Sequence, residues 1–160
     1  MATRKKAFGN LLVGRKDEIR HLESIMVSNE AEFVVVYGRR RVGKTFLVNT
    51  FFNDSYAFKL TGLAKKSKRD QLANFTASLN RYGNGKKFTK PRTWYEAFDK
   101  LRELLESNKS KGRRVLFIDE LPWIDTRGSN LVSALEHFWN DWAVTHNVLV
   151  LIVCGSATSW

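Results

Sequence analysis

The sequence predicts an α/β fold in which a mostly parallel sheet lies between two layers of helices. Short apolar, β-branched or aromatic runs alternate with longer stretches of helical spacing, the signature of strands joined by crossover helices. Three of the four runs are solidly apolar, as strands buried on both faces are. The 160 residues are 43% hydrophobic and contain only two prolines, Pro91 and Pro122, so they supply one core and no linker. A single domain spanning residues 1–160 follows.

In chain order, Asp17 to Val27 is expected to form a short helix with Ile19, Leu22 and Met26 on one side. Glu32 to Tyr37 is the first strand, followed by a helix from about Gly43 to Phe52. Tyr56 to Leu60 is the second strand. A very basic helix runs from about Lys65 to Arg81, ended by Gly83 and Gly85. Thr93-Trp-Tyr-Glu96 has the form of a capping box, and Trp94, Phe98, Leu101 and Leu105 recur at helical steps behind it. Val115 to Asp119 is the third strand. Ser129 is placed to cap a helix whose stripe is Leu131, Leu135, Phe138 and Trp142, widened by Trp139. Asn147 to Cys154 is the fourth strand. The aromatic stripes are read as core, not as ligand platforms.

Lys plus Arg number 27 against 16 Asp plus Glu, a net charge of +11 that favours polyanionic partners. Lys65 to Arg69, Lys86-Lys87 with Lys90 and Arg92, and Lys109 to Arg114 are the candidate contacts for weak, salt-sensitive nucleic-acid binding. Solvated charged faces are the competing reading. Cys154 ends an apolar run and reads as a buried, reduced thiol, which points to a reducing compartment. The basic start Met1 to Lys6 is not followed by the apolar core of a signal peptide, because Gly14-Arg-Lys-Asp17 interrupts it. No apolar run reaches the ~20 residues that cross a bilayer, so the expectation is a cytoplasmic protein with no membrane partner.

Gly38-Arg-Arg-Arg-Val-Gly-Lys-Thr45 matches G-x-x-x-x-G-K-[ST] between a buried strand and a helix, the context that a phosphate-binding loop requires. Gly38 permits the turn out of the strand, and Gly43 lets the backbone approach phosphates with no Cβ in the way. The amides of Arg39, Arg40, Arg41, Val42, Gly43, Lys44 and Thr45, with Phe46 just behind, face the β-phosphate at the positive end of the next helix. Lys44 is expected to bridge the β and γ oxygens and Thr45 to ligate Mg²⁺. The three arginines read as solvated side chains that raise the local potential, with direct phosphate contact as the alternative.

Val115-Leu-Phe-Ile-Asp119-Glu120 is an apolar strand ending in two acids. Asp119 stands where such folds place the carboxylate that holds Mg²⁺ through a water. Glu120 stands where it can polarise an attacking water, a role worth ~10²–10⁴ in rate. A small-molecule kinase needs no such glutamate, and Asn108-Lys-Ser-Lys111 is not the N-K-x-D guanine reader of a GTPase, so ATP hydrolysis is favoured. Ser156, after the fourth strand, either senses the γ-phosphate and orients the water or caps a helix.

On Val13-Gly-Arg-Lys-Asp-Glu18, Val36-Tyr-Gly-Arg-Arg-Arg-Val-Gly-Lys-Thr45, Phe117-Ile-Asp-Glu-Leu-Pro-Trp123 and Cys154-Gly-Ser-Ala-Thr-Ser-Trp160, the chain resembles the archaeal-type ATPase family of AAA-like P-loop proteins, close to the STAND regulatory NTPases. The resemblance implies a three-layer P-loop NTPase sandwich with strand order 5-1-4-3-2, ATP with Mg²⁺, and an N-terminal segment, here Val13 through Gly14 to Arg15, near adenine. A turn before a helix is the other reading of Gly14-Arg15. The resemblance also implies a fifth strand, a helical lid and an effector region beyond Trp160. The expectation for this chain is therefore four strands in order 2-3-4-1 with the first strand outermost. Its open edge would either promote self-association or be covered by Phe8 to Val13. Arg127 is a candidate arginine finger. A slow, switch-type ATPase is the reading of choice, and a basic nucleic-acid-binding ATPase module the alternative.

Overall fold

The computed structural model describes residues 15–156. Helix α1 (Lys16–Val27) precedes strand β1 (Glu32–Gly38) and helix α2 (Lys44–Phe52). Strand β2 (Phe58–Thr61) leads into α3 (Lys68–Tyr82) and α4 (Trp94–Ser107). Then come β3 (Arg114–Asp119), the short α5 (Leu121–Ile124), α6 (Leu131–Asp141), a 3₁₀ turn over Ala143–Thr145, and β4 (Leu149–Ser156). The four strands are parallel in order β2-β3-β4-β1, with β1 at the edge, as expected. Parallel strands put all four C-terminal ends, and the loops that leave them, on one rim.

Two cores sandwich the sheet. On one face Leu22 and Ile25 of α1 and Leu47, Val48 and Phe52 of α2 pack on Val115, Phe117, Val150 and Ile152. On the other, α3, α4 and α6 bring Leu72, Phe75, Trp94, Phe98, Leu101, Leu135 and Phe138 onto Phe58, Leu60, Leu116, Ile118, Leu151 and Val153. The predicted aromatic stripes are core: Phe75 meets Trp94 and Phe98 edge-on, and Phe98 stacks on Phe138 at 5.3 Å.

Three local expectations are corrected. Strand β1 is not buried on both faces. Val34 and Val36 pack under α1 and α2, but Phe33, Val35 and Tyr37 are exposed; on that face the ring of Trp139 lies tilted 5.2 Å from that of Phe33. Second, Thr93 does accept from the Glu96 amide at 3.2 Å, yet the Glu96 carboxylate takes the amide of Arg92, so the box is half formed there. A complete box stands instead at Ser67 and Asp70 and starts α3 at Lys68, three residues later than the charge run suggests. Third, the N-cap of α6 is Asn130 in the left-handed region, while Ser129 is buried one residue earlier and accepts from the Leu131 amide at 3.4 Å.

Candidate nucleotide site

The residues singled out from the sequence meet on the C-terminal rim. Strand β1 ends at Gly38, the loop turns through Arg41 at φ 60° and Gly43 at φ 79°, and α2 begins at Lys44. Gly43 suits that left-handed step because a Cβ there is strained. The Lys44 ammonium curls back on its own loop, donating to the carbonyls of Gly38 at 3.0 Å and Arg39 at 2.5 Å. Phe46 is exposed on the first turn of α2. Arg15 bonds Glu18 at 3.0 Å and also donates to the carbonyl of Val42, which ties the start of α1 to the loop. Gly14, the other half of the expected adenine segment, lies outside the described residues, as do Phe8 to Val13.

Two strands away, β3 delivers its acids to the same place. The Thr45 hydroxyl donates to Asp119 Oδ2 at 2.7 Å, which joins the two predicted metal ligands across 74 residues of chain. Asp119 Oδ1 accepts the amide of Glu120 at 2.9 Å, holding Glu120 in a left-handed conformation at φ 53°. Such a conformation in a non-glycine residue costs on the order of 1–3 kcal/mol and persists only where its surroundings enforce it. Burial, then the charge of Asp119, raise the Glu120 carboxyl above its ordinary range, while Arg40 and Lys44 pull it down. Its Oε2 is buried without a hydrogen-bond partner among the described residues.

β4 lies between β1 and β3, as the Ser156 expectation requires. Ser156 is the buried last residue of that strand, in register with Gly38. Cys154, two residues earlier, is buried; desolvation first, then Asp119, push its thiol up to about 12. The three loop arginines are exposed, in accord with solvated side chains, but Arg40 also lies 5.5 Å over the ring of Trp123.

Two contributors had escaped the motif reading. A Cβ at Gly62 would come within 2.5 Å of the Glu120 carbonyl oxygen and 2.8 Å of Ile124, so a glycine must stand behind the Glu120 turn. Its amide also donates to the Asp119 carbonyl at 2.9 Å. Gln71, buried in α3, donates to the Trp123 carbonyl at 3.1 Å and to the Leu63 carbonyl at 2.6 Å. The sequence signal for Gly62 is its place directly after a strand end; Gln71 carries none, since only the fold shows that it is buried.

Residues 12–160 match the model of an ATPase domain predominantly from Archaea. Uncharacterized protein MJECL04 of Methanocaldococcus jannaschii is 26% identical over 150 residues, 93% of this chain and 30% of its own length. Uncharacterized ATP-binding protein MJ0423 of the same organism is 43% identical over 44 residues, 28% of this chain and 75% of its own. Among solved structures, the Walker-type ATPase PABY2304 of Pyrococcus abyssi superposes with a TM-score of 0.58 at 17% identity, covering 90% of this chain and 45% of its own. Drosophila ORC bound to DNA gives 0.62 at 17% identity, covering 89% and 37%. The chain thus spans under a third of MJECL04 and under half of either structure. With a family match over residues 12–160 and the sheet order in agreement, this chain belongs to the family of ATPase domains found predominantly in Archaea.

Proposed function

We propose that the domain binds ATP with Mg²⁺ on the loop from Gly38 to Thr45 and hydrolyses it slowly, as a switch whose nucleotide state a partner reads. The observation that carries this reading is the 2.7 Å bond between Thr45 and Asp119, with the unpartnered carboxylate oxygen of Glu120 beside it. A hydroxyl and a carboxylate form an all-oxygen donor pair. That suits Mg²⁺, which takes one or two protein groups and completes its shell with water and phosphate oxygens. Thr45 and Asp119 would hold the ion, which neutralises charge on the β and γ oxygens.

Lys44 exchanges the Gly38 and Arg39 carbonyls for those phosphate oxygens, a replacement of neutral acceptors by charged ones. Glu120 accepts the proton of the water that attacks the γ-phosphorus, while the bond to the β–γ bridging oxygen breaks and ADP leaves. Ser156 orients the γ-phosphate end, and Gly14 with Arg15 borders adenine.

Titration calorimetry tests the assignment. Wild-type protein should bind ATP and ADP in the presence of Mg²⁺, and Lys44→Ala should abolish the heat; unchanged affinity in that variant overturns the loop assignment. The edge of β1, which pairs with no further strand among the described residues and carries exposed Phe33, Val35 and Tyr37, supports self-association with a second copy as part of the same proposal.

A further inference from the structure

Away from the nucleotide loop, two basic segments distant in sequence form one groove. It is open, about 380 Å³ in volume, and lined by Lys68, Arg69, Leu72, Lys90, Pro91 and Arg92. Four of these six side chains are cationic, and none forms an ion pair among the described residues. The nearby acids are already engaged: the Asp70 carboxylate takes the amide and hydroxyl of Ser67, and Glu96 takes the amide of Arg92. Those bonds fix the starts of α3 and α4, and with them the spacing of the groove walls. Leu72 and Pro91, both buried, supply the apolar part of its lining.

Several other basic residues are committed to the fold. Arg113 donates to the carbonyls of Ile25, Glu30 and Asn147, and Arg114 to those of Leu105 and Ser110. Lys59 pairs with Asp54, Lys86 with Glu103, and Arg102 with Glu106. The Lys109 to Arg114 run is therefore not a uniform phosphate-tracking stripe.

We propose that this groove binds the sugar–phosphate backbone of a nucleic acid. An open groove takes a through-running chain and not an enclosed small molecule. Its cations match a ligand charged at every repeat, two of them arginines able to grip phosphate through two parallel hydrogen bonds. The apolar part of the lining accommodates sugar faces, and the net charge of +11 draws a polyanion in from a distance. The proposal is independent of the nucleotide reading, because no groove residue belongs to the loop or to the acid pair.

The test is fluorescence anisotropy of the full chain with a labelled oligonucleotide, single-stranded and duplex in separate arms. If all four cations take up phosphates, affinity falls about 50- to 150-fold between about 50 and 200 mM salt by counterion release. Replacing Lys68, Arg69, Lys90 and Arg92 by alanine should remove most of that salt dependence and leave ATP affinity unchanged. A paired variant, Lys109→Glu with Lys111→Glu, alters net charge equally at the opposite end of the sheet and should retain the groove's binding. Equal loss in both variants, poly-glutamate competing as strongly as the oligonucleotide, or no binding at low salt overturns the proposal. A second measurement needs no variant: bound oligonucleotide should protect Lys68 and Lys90 from acetylation while Lys109 and Lys111 stay reactive, and uniform protection or none overturns it.

Discussion

Glu120 carries two demands that conflict. As the proposed base it must be ionised, yet burial and the neighbouring Asp119 favour its protonated form. Because its folded-state value is raised, its contribution to stability is complete below the ordinary 4.5 and is lost as pH rises through the folded value. At neutral pH the ionised carboxylate is therefore a destabilising element. Glu120→Gln should lower hydrolysis by about 10²- to 10⁴-fold with ATP binding kept, and should melt higher than wild type at neutral pH. That gap should close below pH 4.5, where the wild-type carboxyl is protonated in both states. Thermal melts across the pH range, beside a phosphate-release assay, check both halves. Asp119→Asn should behave differently, weakening Mg²⁺-dependent binding itself because it alters the partner of Thr45. Calorimetry with and without Mg²⁺ separates the two residues.

At the level of elements, the turns matter more than the helices they join. Gly62 follows β2 under the Glu120 turn, and the 2.5 Å approach of its would-be Cβ to the Glu120 carbonyl leaves no room for alanine. Gly62→Ala is expected to cost about 1–3 kcal/mol of stability, the usual range for overpacking. It should also lower the hydrolysis rate more than it weakens ATP binding, since it displaces the base and not the loop. Chemical denaturation and steady-state kinetics measure the two effects. The Ser67 and Asp70 capping box is the other sensitive turn. Ser67→Ala should cost about 1 kcal/mol, which lowers Tm by about 2–4 °C in a chain of this size. A Tm equal to wild type would show the cap to be dispensable.

For the whole molecule, the consequence of strand order is a bare strand. With β4 on one side and nothing paired on the other among the described residues, β1 shows Phe33 at 40%, Val35 at 58% and Tyr37 at 62% exposure. Apolar side chains beside open backbone groups make such an edge prone to pairing. Sedimentation velocity should show concentration-dependent association, and Val35→Lys should abolish it without altering ATP affinity, because Val35 points away from the α1 and α2 face. A wild-type chain that stays monomeric at every concentration removes self-association from the proposal.

The sequence by itself determined the family and the topology class. Gly38 to Thr45 and Asp119-Glu120 are legible because each is a contiguous stretch whose function depends on backbone conformation and on one flanking strand. The solid apolar runs then imply a parallel sheet that puts both stretches on one rim. Tertiary structure alone decided what depends on a neighbour from elsewhere in the chain. Phe33 to Val36 reads as a strand buried twice over, but among the described residues one of its faces is only thinly covered, so alternate residues are exposed. Arg113 looks like Lys109 in sequence, yet it is spent on three carbonyls while Lys109 stays in solvent. Lys68 and Lys90 are 22 residues apart and become one groove only when α3 and the segment before α4 run side by side. Local conformational preference is encoded in adjacent residues, whereas burial and charge pairing are properties of contacts, and contacts exist only after the chain has folded.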